Sequence, residues 1–370
     1  MTISESVYKW RTFVPVRFRR ARTGAPHEDF PDLDDRGYRD NEHGPMVGIT
    51  ADDVVRVQVR RVTLDPSADL FVTTTETGVV TVVNPRDGHL PAGERVTIHL
   101  RGHRAPGRTP NVRFAKIQVR FGSASGPVLG ELSVRVFRAK DLDVTPHVVT
   151  IRGAGGERTS IVDVGAVMSM ARAIWKPCGI RWTPGATRPE DVRFATAGVV
   201  MDEPWSRRTQ FENTELARLL ATRAVPDTIN IYFVHRIGTE DTLGYGFPAD
   251  EIAGYHVPNP GIVVADTDVS GFVRDVQSWA GTVAHEVGHF LGLEHAGNMQ
   301  GDDALRDQWA HRMLMWNNAF ITGTRFPNVG YGHERRGTMI TMKHVPGVAL
   351  DSECGSARNA ADAGPYGTIT

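Results

Sequence analysis

The stretch TVAHEVGHFLGLEH, residues 282–295, decides the interpretation of this chain. It contains His285, His289 and His295, and Glu286 directly follows the first of these histidines. Residues four apart on an α-helix lie one turn above each other on the same face. His285 and His289 are therefore predicted to present two imidazole rings to one point in space.

This point has the properties of a catalytic zinc site. Zinc binds neutral imidazole nitrogens at about 2.0–2.1 Å, and a catalytic zinc needs a third protein ligand besides its water. Gly292 permits a sharp exit from the helix, which brings His295 back towards the first two rings. Glu286 would face the open position and accept a proton from a water whose pKa the metal lowers to around 7. We predict His285, His289 and His295 as zinc ligands and Glu286 as the general base.

HEVGHFLGLEH resembles the long zinc signature of the metzincin metalloproteases, H-E-x-x-H-x-x-G-x-x-H, at every fixed position. The local sequence is similar to matrixin-like and pappalysin-like members. Metzincins also carry a methionine turn beneath the zinc, and RMLMWN (312–317) resembles this turn, with Met315 as its methionine. The resemblance covers roughly residues 140–345. It implies an α/β catalytic domain with a mixed twisted sheet, two long helices and an active-site cleft.

The resemblance also implies an antiparallel edge strand that pairs with an extended peptide substrate. GIVVAD (261–266) falls where the last parallel strand should precede the active-site helix. The candidate for the edge strand is LGYGFP (243–248), which contains Gly244, Tyr245 and Gly246. A plain Gly/Pro loop is the alternative for this segment.

The sequence departs from the family at two places. Some metzincins have a tyrosine two residues after the turn methionine, which can stabilise the oxyanion, but Asn317 stands there. Tyr331 or His333 is the candidate replacement. No cysteine precedes Cys178, so a thiolate latency switch from the N-terminal region is excluded.

Outside the motif, residues 140–370 mix helical and strand patterns. Apolar residues recur at helical spacing in SIVDVGAVMSMARAIWKPCGI (160–180) and in VRDVQSWAGTVAHEVGHFLGL (273–293). HVVTI (147–151) and TINIYFV (228–234) have the apolar runs of buried strands. Strands interleaved with helices indicate an α/β layer structure. We predict a metzincin-like zinc protease domain over residues 140–370.

Residues 1–139 contain strand patterns and no run of helical period. The predicted strands, separated by turn-rich pieces, are VVRVQVRRV (54–62), VVTVVN (79–84), RVTIHL (95–100), VRFAKIQVRF (112–121) and LSVRVF (132–137). Short strands at this spacing are typical of a β-sandwich, and an immunoglobulin-like sandwich is expected. The domain boundary is placed at residue 139, although SASGPVLG (123–130) could be a linker or a hairpin loop.

Composition excludes several classes of protein. The 370 residues are 40% hydrophobic and 23% charged, which is typical of globular domains. A net charge of −1 gives no global field that would attract nucleic acid or an anionic membrane. No apolar run reaches the roughly 18 residues of a membrane-spanning helix.

The N-terminus lacks the pattern of a Sec signal peptide. Because metzincins typically act outside the producing cell, leaderless export or injection, as for a bacterial effector, is expected, and a cytoplasmic location is the alternative.

Some other residues could bind a metal or form a disulfide, and a purely structural role is the alternative. Asp266 and Asp268 could help to bind calcium, although residues at the end of a strand need no such role, and this structural interpretation is preferred. His99 and His103 are expected at the surface. His235 and His256 could form a second, structural zinc site. Cys178 and Cys354 could form one disulfide or remain two buried thiols.

Three functions stay open at this point. The first is a zinc-dependent endopeptidase that cleaves a peptide or protein substrate. In the second, the β domain binds a partner or a delivery apparatus and the zinc fold is subordinate or inactive. In the third, residues 1–139 are an inhibitory pro-segment of the protease, with a targeting or stabilising role as the alternative.

Overall fold

A computed structural model describes residues 15–20, 46–105, 112–153, 156–193, 215, 218–219, 223–237, 243–247, 261–267, 275–291, 293 and 367–369. The chain divides into two compact units. The first comprises Met1–Ala139 with Lys176–Gly179, and the second comprises Lys140–Trp175 with Ile180–Thr370. The described part is mostly β-sheet, with two α-helices in the second unit. Within it, no helix combines the length and the apolar character that crossing a membrane requires.

The strands of the first unit form two sheets. In chain order they are β1 (Val16–Arg20), β2 (Met46–Thr50), β3 (Val54–Arg61), β4 (Leu70–Thr74), β5 (Val80–Asn84), β6 (His89–Leu90), β7 (Arg95–Gly102), β8 (Val112–Phe121) and β9 (Val128–Phe137). One sheet has the order β1-β3-β7-β5 and the other β2-β9-β8-β4-β6. Described neighbours are antiparallel, except that β2 runs parallel to β9.

Alternation of apolar and polar residues explains how these sheets pack. In β3, Val57 and Val59 are buried, while Arg56 and Arg60 on either side of this pair are not. Inward-facing residues of both sheets, such as Val59 and Ile117, belong to one hydrophobic core. The first unit is therefore β-rich and has the layered packing of a sandwich. The immunoglobulin-like topology stays a prediction.

The second unit contains one eight-stranded sheet and both helices. Its elements are β10 (Lys140–Gly153), β11 (Gly156–Thr159), α1 (Val164–Trp175), β12 (Ile180–Pro184), β13 (Arg188–Arg193), β14 (Ile229–Val234), β15 (Gly244–Phe247), β16 (Gly261–Ala265), α2 (Val276–Phe290) and β17 (Gly367–Ile369). The strand order is β11-β10-β14-β16-β15, and β12, β13 and β17 also pair with β10.

The direction of the strands makes this sheet mixed. The pairs β10–β14, β14–β16, β10–β12 and β10–β13 are parallel. β15 is antiparallel to β16 and ends the strand order of the described residues. Every residue of β14 and β16 is buried, as expected for central parallel strands covered on both faces.

Local sequence determines where the two helices begin and end. Asp275 caps α2, because its side chain accepts a hydrogen bond from the backbone N–H of Ser278 at 2.8 Å. α1 buries residues three and four apart, including Val167, Ala171 and Ile174, and it ends shortly before Pro177. α1 and α2 pack against each other.

Candidate metal centre

His285 and His289 lie one turn apart on α2. Their ring centroids are 4.7 Å apart and the ring planes are nearly perpendicular, at 85°. His285 is 1% exposed and Glu286 is 4% exposed. The helix therefore brings two of the three predicted ligands next to each other, as the four-residue spacing predicts, and the predicted base is buried beside the first of them.

A hydrogen bond fixes which nitrogen of the His289 ring must carry a proton. Nδ1 of His289 lies 2.8 Å from the backbone carbonyl oxygen of Leu293. Because a carbonyl oxygen can only accept, Nδ1 is the donor, and in the neutral ring the lone pair is on Nε2. Metal-binding histidines commonly use their second nitrogen in this way, since the bond fixes ring orientation and tautomer. The ring of His289 fits a zinc ligand by that criterion.

The chain leaves α2 through a defined turn. The backbone N–H of Leu293 donates to the carbonyl oxygen of Gly288 at 2.9 Å. A bond of this kind, from a residue to the carbonyl five positions before it, is typical of the Schellman motif. Gly292, the residue before the donor, lies outside the described residues.

Two buried indoles hold α2 in place. Nε1 of Trp175, the last residue of α1, donates to the carbonyl oxygen of Ala284 at 3.1 Å, one residue before His285. Nε1 of Trp279 donates to the carbonyl oxygen of Asp266 at 3.2 Å. The turn with the first predicted ligand is thus anchored to the neighbouring helix, and an earlier turn of α2 is anchored to the end of β16.

Asp266 has a structural environment. One oxygen of its carboxylate accepts from the Ser160 hydroxyl and the other from the Ile161 backbone N–H, each at 2.6 Å. These bonds tie the segment before α1 to the end of β16. They give Asp266 a structural role, and Asp268, its suggested partner for calcium, lies outside the described residues.

Strand β15 runs beside the turn of α2 that carries Glu286. Gly244 and Gly246 face α2 closely enough that an added Cβ atom would meet Glu286 from either position. Tyr245, between them, packs against the hydrophobic cluster that includes Tyr232 and Val263. The structure therefore places the three residues of the predicted edge strand in an antiparallel strand next to the predicted base.

Several predicted site residues lie outside the described residues: His295, Gly292, Met315, Tyr331 and its alternative His333. Within the described part of the chain, no group of three or more His, Cys, Asp or Glu side chains is arranged to hold a metal ion. The third ligand, the methionine turn and the oxyanion stabiliser all stay predictions.

His99, His103 and His235, which are predicted to be surface residues or further metal ligands, lie away from α2 in the sequence. Nε2 of His103 lies 2.9 Å from the Thr81 hydroxyl, and His99 lies on β7. Burial lowers the pKa of His235, and the positive charges of Arg158 and Arg236 add to this effect.

Two guanidinium groups beside His235 disfavour a further cation there. His256, the other half of the suggested structural zinc site, lies outside the described residues. Cys178 is buried, and Cys354 lies outside the described residues, so their pairing also stays a prediction.

The sequence analysis missed a buried polar cluster in the same sheet. Nδ1 of His147 on β10 lies 3.0 Å from Oε1 of Glu190 on β13, and Nε2 lies 2.9 Å from Oδ1 of Asn230 on β14. The His147 ring stacks on Tyr232 with centroids 4.4 Å apart. Burial, with a further contribution from Glu190, raises the pKa of Tyr232. A signal was present for one member, because Asn230 interrupts the otherwise apolar strand β14.

Comparison with known proteins adds little to this geometry. No protein-family model and no curated protein matches the chain. One matching solved structure is the crystal structure of Bacteroides thetaiotamicron EndoBT-3987 with Man5GlcNAc product, at 7% sequence identity and a TM-score of 0.20. The match covers 30% of this chain and 33% of that chain, so this chain spans about a third of that chain's length. A TM-score this low carries no inference about fold or function.

Proposed function

We propose that the chain is a zinc-dependent endopeptidase of the metzincin type that acts on a peptide or protein substrate. The observation that carries this proposal is the pair of rings on α2. His285 and His289 lie with centroids 4.7 Å apart, and the bond from His289 Nδ1 to the Leu293 carbonyl leaves the lone pair of the neutral ring on Nε2, the nitrogen that would bind the metal. His295, two residues after Leu293, is the proposed third ligand.

The sheet supports the same proposal. The resemblance implies an antiparallel edge strand that precedes the last parallel strand, and β15 and β16 have this relation. A peptide that adds to the outer edge of β15 would be held in extended form by backbone hydrogen bonds. Glu286 lies beside this strand, on the face of Gly244 and Gly246. The proposed base is therefore close to where a scissile bond would lie.

Glu286 has the central chemical role. Zn²⁺ bound by the three histidines would supply Lewis-acid chemistry, lowering the pKa of water and polarising the scissile carbonyl. The carboxylate of Glu286 accepts the proton of the attacking water and then donates it to the leaving amine. Burial of Glu286 and His285 shields this transfer from bulk solvent.

The test is the substitution Glu286→Gln, which keeps the shape of the side chain and removes the base. We expect cleavage of casein or gelatin to fall by at least about 100-fold, because general base catalysis contributes on the order of 10²–10⁴-fold. Zinc content after dialysis should equal that of the wild-type protein. Glu157→Gln, at an exposed position on β11, is the matched control and should cleave like the wild type.

Two results would contradict the proposal. Wild-type rates in the Glu286→Gln protein would remove the proposed mechanism. If zinc binding were lost on replacing His99 and His103 but kept on replacing His285 and His289, the metal site would lie in the first unit. Chelation of the wild-type protein should abolish cleavage, and added Zn²⁺ should restore it.

A further inference from the structure

Strand β15 presents a face without side chains to the catalytic turn of α2. Gly244 and Gly246 are two residues apart, so they lie on the same face of the strand, and this face is towards α2. Tyr245 faces the opposite way, into the cluster with Tyr232 and Val263. Helix and strand therefore approach each other through bare backbone at the position of Glu286.

At Gly246, the close neighbour is the main chain of the helix. A Cβ atom there would overlap the backbone carbonyl oxygen of Glu286 and would lie 3.0 Å from its carbonyl carbon. It would also lie 3.1 Å from Cβ of His289. Because none of these atoms is the end of a flexible side chain, an alanine at Gly246 has to move the helix turn away from the strand.

At Gly244, side chains are among the close neighbours. A Cβ atom there would lie 2.9 Å from Cγ of Glu286 and 3.0 Å from Cγ2 of Thr282. The Val263 carbonyl oxygen of the paired strand would also be 3.0 Å away. An alanine at Gly244 therefore displaces the Glu286 side chain first and leaves the two histidines in place.

We propose that Gly244 and Gly246 are positioning residues that set the distance between the substrate-pairing strand and the metal turn. Gly246 fixes the main chain that carries His289, and Gly244 fixes the carboxylate of Glu286. This inference rests on the proposed function. It adds that two glycines determine how far the general base lies from a peptide held on β15.

The first experiment measures zinc affinity and steady-state cleavage for Gly246→Ala. A displacement of about 1 Å at a catalytic centre can lower kcat by about 100-fold. Moving the residue that carries a ligand should also weaken zinc binding by about 10-fold to 100-fold, the range found for residues that support metal ligands. Zinc affinity is measured by competition of Zn²⁺ with a chelator, without any substrate.

The second experiment separates Gly244 from Gly246. For Gly244→Ala we expect kcat to fall by about 10-fold with KM and zinc affinity unchanged, because only the base is displaced. Adding Thr282→Ser removes the methyl group on the other side of the new Cβ atom and should recover part of kcat. Gly165→Ala is the control, since among the described residues outside its own helix backbone an added Cβ atom would meet only Oδ1 of Asp163, at 3.6 Å.

The outcomes distinguish this inference from the proposed function. Wild-type zinc affinity and kcat in folded Gly246→Ala, or no change in Gly244→Ala, would overturn the positioning role. If the wild type binds zinc but cleaves no peptide, the protease proposal fails. The zinc affinities of the wild type and Gly246→Ala then still test the positioning role of Gly246. If no zinc binds, ¹⁵N spectra of the histidine rings decide: the Nδ1–H form of His289 should persist in Gly244→Ala and be altered in Gly246→Ala. Should Gly246→Ala fail to fold, Gly244→Ala and its rescue by Thr282→Ser provide the test.

Discussion

The buried amide of Asn230 allows a quantitative test of the sheet that carries the site. Oδ1 accepts from the backbone N–H of Val225 at 2.8 Å and from Nε2 of His147 at 2.9 Å. Nδ2 donates to the carbonyl oxygens of Val225 and Thr228 at 3.0 and 3.1 Å. All four hydrogen-bonding positions of the amide are used, and the residue is 2% exposed. These partners also fix which end of the amide is oxygen.

The substitution Asn230→Asp keeps the shape and replaces the donating nitrogen by oxygen. The carbonyl oxygens of Thr228, in a buried contact, and of Val225, in a part-buried contact, then face an oxygen in place of an N–H group. A buried group left without its partner costs about 1–3 kcal/mol, so we expect the free energy of unfolding to fall by at least about 1–3 kcal/mol. This is a large part of the roughly 5–15 kcal/mol that stabilises an ordinary domain.

Urea unfolding followed by tryptophan fluorescence is the assay. Six of the seven tryptophans lie in residues 140–370, so the signal reports on the second unit. Asp191→Asn is the control, because the carboxylate of Asp191, next to Glu190 on β13, is 58% exposed and bonds Arg152. Such exposed pairs contribute about 0–1 kcal/mol. A loss for Asn230→Asp no larger than for Asp191→Asn would refute the reasoning.

Three further predictions use single contacts. Trp175→Phe removes the indole donor to Ala284 and leaves a cavity at a fully buried position, so it should lower the free energy of unfolding by more than the about 1 kcal/mol of one hydrogen bond in the same urea assay. Asp275→Ala removes the N-cap of α2 and should cost about 1 kcal/mol, measured by urea unfolding. The hydrogen bond from Lys116 holds the pKa of Glu131 below its ordinary value. The ionised Glu131 therefore stabilises the folded state at pH values above the pKa it has in the unfolded chain, and this stabilisation is lost as pH falls through its pKa in the folded protein. In unfolding curves between pH 3 and 6, the free energy of unfolding should therefore fall less on acidification in Lys116→Met than in the wild type. The difference should be less than about 1 kcal/mol, because this pair is exposed.

The parts of the fold that could be predicted are those with local causes. The helical spacing in residues 273–293 predicts a helix, and α2 spans Val276–Phe290 within it. The uninterrupted apolar runs TINIYFV and GIVVAD correspond to the buried strands β14 and β16. The spacing of His285 and His289 is local too, since one helical turn determines the relation of their rings.

The contacts that support the site could not be predicted, because their partners are far apart in the sequence. Trp175 and Ala284 are separated by 109 positions, and Ser160 and Asp266 by 106. Nothing in either neighbourhood indicates which carbonyl an indole will meet. Only the packing of α1 on α2, and of the segment before α1 on the end of β16, brings these groups together.

The segment LGYGFP shows how a local rule can argue for the wrong alternative. Glycine weakens an isolated strand, so two glycines in six residues favour a loop by propensity. The same two glycines are what permits a strand at this position, because any side chain at Gly246 would overlap the backbone of α2. Their spacing of two places both on one face, which is a property of strands and not of irregular loops. The pattern therefore encodes a tertiary constraint, the approach of the helix that carries Glu286, and propensity alone could not reveal it.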